Sequence, residues 1–235
     1  MSVNPHVAAV AGMATEPSRA AMLTILLDGR RHTAGELASM AGIKPQTASF
    51  HLAKMVAADV VAVSSQGRHR YYGIRSAEVA GVMESLLSIA RPVQIRSLRQ
   101  STEDRAIRHA RTCYDHLAGS VGVQVTDALL RMGALADEQD RFVLTEDGER
   151  FLARFGIDMP AVRRQRRSFL HKCLDWSERY PHLGGALGHA LLERLLFLQW
   201  IERQPDTRAV RVTPAGIQGL RETFGVALEQ AAAPR

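Results

Sequence analysis

Apolar residues recur at helical spacing over residues 18–27, SRAAMLTILL, behind Pro17, and Asp28-Gly29 ends the run. Thr33 with Glu36 three residues later is a capping-box pattern, so a helix starts there and Gly42 breaks it just after Ala41. Pro45 suits the first turn of another helix, which the pattern carries through about Ala57. Val60–Val63 and Arg68–Ile74 read as two strands around Ser65-Gln66-Gly67, a hairpin. Residues 76–90 return to a helical period, with Val79, Val82, Met83, Leu86, Leu87 and Ile89 on one face. The order helix, helix–short turn–helix, hairpin, helix predicts a winged helix-turn-helix, with Gly42-Ile43-Lys44 as the turn.

Beyond a weakly periodic, Arg- and Ser-rich stretch at 91–110, the chain repeats itself. Cys113-Tyr114-Asp115-His116-Leu117-Ala118-Gly119 is echoed by Cys173-Leu174-Asp175-Trp176 and then His182-Leu183-Gly184-Gly185. Gly122 pairs with Gly188, Leu129-Leu130 with Leu195-Leu196, and Leu144-Thr145 plus Gly148 with Val212-Thr213 plus Gly216. Each copy reads as helices, a short hairpin ending in a Thr-x-x-Gly turn, and a final helix. The expected fold class is therefore mainly α with short β-hairpins (α+β). Residues 1–92 form the winged helix-turn-helix, 93–110 a connector, and 111–235 a domain of two degenerate helix/hairpin repeats.

Composition narrows the function. Of the 235 residues 46% are hydrophobic and 23% charged, as in an ordinary globular chain. No run is apolar enough for a membrane span, and residues 1–13 lack the basic start of a secretory signal. Two cysteines make no disulfide framework and fit a reducing, cytoplasmic compartment. The net charge of +6 is uneven: 13 Lys and Arg stand against 8 Asp and Glu in residues 1–110, and 17 against 16 in the rest. A polyanion partner for the N-terminal part follows, because neutralised phosphates release counterions.

The candidate DNA-binding residues are Lys44, Gln46, Thr47, Ser49, Phe50, His51 and Lys54 on the second helix and its entry, and Arg68, His69 and Arg70 on the hairpin tip. Short polar side chains at the start of such a helix reach base edges, and arginines on a wing meet phosphates. Glu16-Pro17-Ser18-Arg19, Gly35-Glu36-Leu37-Ala38, Thr47-Ala48-Ser49-Phe50-His51-Leu52 and Gly67-Arg68-His69-Arg70-Tyr71-Tyr72 resemble the ArsR/SmtB family of bacterial repressors over about residues 8–92. The resemblance implies a homodimer on double-stranded DNA with a near-palindromic operator. It places residues 76–90 and the N-terminal helix at the interface, and implies an effector that lowers DNA affinity. Lys44 departs from the pattern, since members carry a capping Ser there. The family's metal sites do not carry over: residues 34–41 and 45–58 contain no cysteine, and residues 76–90 offer Glu78 and Glu84 but no histidine.

Sensing is therefore expected in residues 111–235. Cys113, Asp115 and His116 cluster in the first repeat, and His171, Cys173 and Asp175 in the second. Thiolate and imidazole suit a divalent transition-metal or heavy-metal ion, with Cys113, His116 and Cys173 as the candidate ligands and His182 at the position equivalent to His116. Buried structural cysteines and a redox pair are the competing readings. Asp175 with Ser177 and Glu178 suggests a helix cap. Tyr114, Trp176, Tyr180 and Trp200 line an organic pocket or pack in the core, and Arg163–Arg167 is a phosphate contact or a solvated helix face. No phosphate loop, nucleophile elbow or His-Glu metalloprotease motif appears, so the chain reads as a regulator and not an enzyme. The alternative is an enzyme or thiol/metal-binding protein with its chemistry in 111–235.

Overall fold

The computed structural model describes residues 6–90, 98–205 and 207–228. The expected connector at 93–110 lies partly outside these residues. The chain forms two units, one of residues 1–87 with 205–208 and one of residues 88–204 with 209–235.

The first unit opens with a short helix, α1 (His6–Ala11), and a 3-10 turn at Gly12–Ala14, neither anticipated from the pattern. Helix α2 (Pro17–Leu26) starts where Glu16 caps it, its carboxylate accepting from the backbone N–H of Ser18 at 3.1 Å and Arg19 at 2.9 Å. Strand β1 (His32–Thr33) leads into α3 (Ala34–Met40), and the capping box holds: Thr33 Oγ1 accepts from Glu36 N at 3.3 Å while Glu36 Oε2 accepts from Thr33 N at 2.6 Å. Gly42 turns the chain with φ +65°, a conformation that favours glycine. Pro45 then opens α4 (Pro45–Ala57). Lys44 stands at its N-cap without a side-chain cap bond, so the fixed φ of Pro45 starts the helix unaided.

Strands β2 (Val61–Gln66) and β3 (His69–Ile74) form the wing, and β1 adds to β3 to give the order β1-β3-β2. Met22, Leu23 and Leu26 of α2, Leu37 of α3, and Ala48, Leu52 and Met55 of α4 are buried. Helix α5 (Ala77–Ile89) splits the apolar face expected of it. Ala80 and Met83 are buried, and Glu84 is buried in an ion pair with Arg208. Val82, Leu86 and Ile89 are 59%, 40% and 79% exposed and form an i, i+4, i+7 stripe.

The second unit begins with α6 (Leu98–His109) and then runs through the repeat. The first half is β4 (Arg111–Cys113), β5 (His116–Ala118), α7 (Gly119–Arg131), β6 (Leu135–Glu138), β7 (Arg141–Leu144) and α8 (Glu146–Arg154). A short α9 (Met159–Arg163) precedes the second half: β8 (His171–Leu174), β9 (Pro181–Gly184), α10 (Gly185–Phe197), β10 (Ile201–Arg203), β11 (Val210–Val212) and α11 (Pro214–Phe224). The repeat is real in three dimensions, with one correction: each half opens on a hairpin, β4–β5 or β8–β9, where the pattern suggested helix. Strands of three or four residues are too short to show a period of two.

The Thr-x-x-Gly turns have a physical explanation. Thr145 and Thr213 cap α8 and α11, each accepting from the N–H three residues on, Gly148 or Gly216, at 2.9 Å. A Cβ on Gly148 would lie 2.0 Å from the Ala134 carbonyl oxygen, and on Gly216 1.9 Å from that of Trp200, so only glycine fits. One apolar core joins the halves, with Val121, Val125 and Leu129 of α7 packed in the same cluster as Leu187, Leu191 and Leu195 of α10. Among the described residues no helix is long and apolar enough to cross a membrane.

A pH-dependent tie sits at the base of the wing. His32 Nε2 lies 2.7 Å from the buried Asp28 carboxylate, and this hydrogen bond raises the His32 pKa above 6.5 against the opposing effect of burial. A raised folded pKa gives stability that is present in full below about pH 6.5 and is lost as pH climbs through the raised value. His32→Asn is therefore expected to flatten the pH dependence of urea unfolding above about pH 6.5. An unchanged pH profile in that variant would remove the pair as its cause.

Candidate nucleic-acid interface and metal centre

The hydrophobic face of α4 is spent on the core, so its other face is left to solvent. Lys44, Gln46, Ser49, Phe50 and Lys54 are exposed there and Thr47 is half-buried. Phe50 is 58% exposed, and the Lys54 ammonium lies 4.4 Å from the centre of its ring. His51 does not belong to this face. It is buried one residue from Leu52, with Nε2 3.4 Å from Glu16 and Nδ1 3.5 Å from Arg19, and so helps to seat α2. On the wing, Gln66 pairs with His69 across the two-residue turn Gly67-Arg68. Arg68, His69 and Arg70 are exposed at this tip, and the Arg70 guanidinium lies 5.9 Å from the Tyr72 ring centre.

The second unit brings four ligand-type side chains together. Cys113 and His116 are directly opposed across β4–β5, and Cys173 and His182 hold the same relation across β8–β9. Sγ of both cysteines and one ring nitrogen of each histidine lie within 4.8 Å of one another, and all four residues are buried. The two sulfurs are 3.8 Å apart and not joined in a disulfide, and the two Nε2 atoms are 3.2 Å apart. The sequence therefore named three of the four and its repeat pointed to the fourth. His171, grouped with Cys173 by proximity in sequence, pairs with Gly184 and is exposed.

Behind each histidine stands the aspartate two residues after the cysteine of its own half. Asp115 Oδ1 is 3.3 Å from His116 Nδ1, and Asp175 Oδ2 is 3.3 Å from His182 Nδ1. Asp115 is held in turn by Arg167. Asp175 accepts from Arg111 Nη2 at 3.0 Å, Gly119 N at 2.7 Å and Ser177 Oγ at 2.7 Å. Burial alone would raise both carboxyl pKa values, but the histidine and arginine partners hold them well below the usual carboxylate range. Burial likewise opposes charge on His116, yet Cys113 and Asp115 push its pKa up to about 9. Asp175 closes a turn, accepting from Ser177 N at 2.9 Å and Glu178 N at 3.2 Å, and is not a helix cap as the sequence suggested.

The other candidates scatter. Trp176 meets the guanidinium groups of Arg108 and Arg111, whose carbons are 5.1 and 4.6 Å from its ring centre. Trp200 packs on the core beside Phe155, and Tyr180 is exposed. In the basic run, Arg163 pairs with Glu149 at 2.6 Å and Arg167 with Asp115, so two of its arginines are structural.

A short-turned helix pair with a basic wing is the architecture of a DNA-binding transcriptional regulator. A helix-turn-helix domain model matches residues 14–64. Over 214 residues the chain is 48% identical to the uncharacterized HTH-type transcriptional regulator YdfF of Bacillus subtilis strain 168, covering 91% of this chain and 95% of that one. The chain belongs to this family of HTH-type transcriptional regulators. Solved structures similar to part of it include HlyU from Vibrio cholerae N16961, 25% identical, with a TM-score of 0.33 over 34% of this chain and 87% of that one. Another is the homodimeric winged helix-turn-helix DNA-binding domain of Mb0332 from Mycobacterium bovis, 18% identical, with a TM-score of 0.34 over 41% of this chain and 100% of that one.

For the wing, Arg68→Ala and Arg70→Ala are each expected to weaken binding to all duplexes alike and to lower the slope of log affinity against log salt by about one. Gel-shift titrations at several salt concentrations check this. Unchanged affinity in the double variant means the wing does not touch DNA.

Proposed function

We propose that the protein is a homodimeric repressor that reads a near-palindromic operator through α4 and the wing and receives a metal ion as its effector in the second unit. Gln46, Thr47 and Ser49 read base edges, with Phe50 beside them for an apolar contact, and Lys44, Lys54, Arg68, His69 and Arg70 hold the backbone. The α5 stripe of Val82, Leu86 and Ile89 supports the dimer, because an apolar helix face left to solvent marks an interface. Two-fold symmetry then sets half-sites about one helical turn apart.

The observation that carries the effector reading is the convergence of Cys113, His116, Cys173 and His182 from both halves of the repeat. Four buried donors within 4.8 Å form a better-defined receptor than the scattered aromatic side chains. Regulation requires that the ion bind the DNA-free and DNA-bound forms with different affinity.

Full-length protein titrated onto operator with and without metal is expected to differ in affinity by roughly 5- to 150-fold, the range of a coupling of about 1–3 kcal/mol. The Cys113→Ser, Cys173→Ser variant should show no such difference while still binding DNA. An equal response in wild type and variant would place the effector elsewhere. For assembly, Leu86→Glu is expected to shift the protein from dimer to monomer in sedimentation at micromolar concentration, because it sets like charges into an apolar two-fold contact. A dimer that survives that substitution would exclude the α5 stripe as the interface.

A further inference from the structure

We infer that Cys113, His116, Cys173 and His182 form a closed tetrahedral N2S2 centre for one zinc-class ion per chain, with Asp115 and Asp175 as the residues that aim its histidines. This deepens the effector reading above by naming the ion class, and its test separates the two.

The sulfur–sulfur and nitrogen–nitrogen distances support the assignment, and the remaining donor pairs lie within 4.8 Å. Around zinc, metal–sulfur bonds of about 2.3 Å and metal–nitrogen bonds of about 2.0–2.1 Å at tetrahedral angles set the sulfurs about 3.8 Å apart and the nitrogens about 3.3 Å apart. The structure has 3.8 Å between Cys113 and Cys173 Sγ and 3.2 Å between His116 and His182 Nε2. A disulfide would need the sulfurs at about 2.05 Å.

Donor chemistry agrees. Calcium and magnesium take oxygen ligands, whereas two thiolates and two imidazoles in tetrahedral array select zinc and its softer neighbours. The charge also closes, since two thiolates neutralise a divalent ion and the imidazoles bind neutral, which suits a buried site. Four protein donors complete the coordination and leave no position for a reacting water, so the centre holds an ion and does not activate substrate.

Orientation supplies an independent argument. Each histidine ring has its Nδ1 side against a carboxylate of its own half and its Nε2 toward the other half's histidine. A carboxylate behind Nδ1 fixes the tautomer that leaves the Nε2 lone pair for a metal. In both halves the aspartate two residues after the cysteine lies 3.3 Å from Nδ1 of that half's histidine. The contact is within hydrogen-bond geometry for His116 and at ion-pair distance for His182, as a half-site built once and duplicated would place it.

The test uses full-length reduced protein stripped with chelator and titrated with Co2+ as the spectroscopic probe, followed by Zn2+. The expected result is one Co2+ per chain, with the strong visible bands of tetrahedral cobalt and a near-ultraviolet thiolate-to-cobalt band, all abolished by one equivalent of Zn2+. Cys173→Ser should reduce the thiolate band, and His182→Gln should weaken binding. Asp115→Asn should keep the tetrahedral spectrum but weaken binding by roughly 10- to 100-fold. Far-ultraviolet circular dichroism confirms that each variant is folded, and Asp115→Asn, which keeps all four donors, serves where a ligand variant fails to fold. Weak octahedral bands without a thiolate band, half an ion per chain, or affinity unchanged in folded His182→Gln would overturn the centre. Operator binding by the same samples judges the other reading: a tetrahedral centre whose filling leaves DNA affinity unchanged sinks the effector role and leaves the centre standing. A DNA response to Zn2+ without the centre does the reverse.

Discussion

The second unit depends on one constraint: charged side chains and thiol and imidazole groups from two chain segments some sixty residues apart must be buried together with each charge answered. Arg111 and Asp175 are both fully buried and ion-paired at 3.0 Å. Breaking such a pair from one side strands a charge in the interior at a cost of about 3–5 kcal/mol. Asp175 also receives the N–H of Gly119 at the start of α7 and stands behind His182. One carboxylate thus links the first half's helix, the second half's histidine and a buried arginine. Removing it would disturb the fold and the candidate centre together.

The two halves are fitted to each other by exchange. Leu183 N of β9 donates to Thr126 Oγ1 of α7 at 2.9 Å, and a Cβ on Gly188 of α10 would lie 3.2 Å from the His116 Cβ of β5. Each half's hairpin therefore rests on the other half's helix, and a single apolar core runs through both. Neither hairpin, with strands of three or four residues, would persist alone in water. Packing of each half on the other holds them and brings their Cys–His pairs together.

In the first unit the governing division is between the two faces of α4. Ala48, His51, Leu52 and Met55 are buried, which leaves Gln46, Ser49, Phe50 and Lys54 outside. Helical spacing makes this division unavoidable once the apolar positions are set. The same spacing on α5 gives a helix that is buried at Ala80 and Met83 and apolar outside at Val82, Leu86 and Ile89. Among the described residues its inner side is covered and its outer stripe stays exposed.

Local chemistry was enough to determine much of this protein. The capping box at Thr33, the proline opening α4, the glycine turns and the basic wing each act over a few residues, so the winged helix-turn-helix was legible in the sequence. The repeat was legible too, because Cys, Thr-x-x-Gly and the leucine pairs recur in order. What the sequence could not show was which recurring residues meet. Nearness along the chain grouped His171 with Cys173 and set His51 on the DNA face. Pairing across β8–β9 put His182 opposite Cys173, and the 100° step of α4 turned His51 inward. The cross-strand Cys–His pairs, the aspartate behind each histidine and the buried Arg111 were decided only by tertiary structure. They arise where two segments dock, and no local propensity records a contact made across sixty residues of chain.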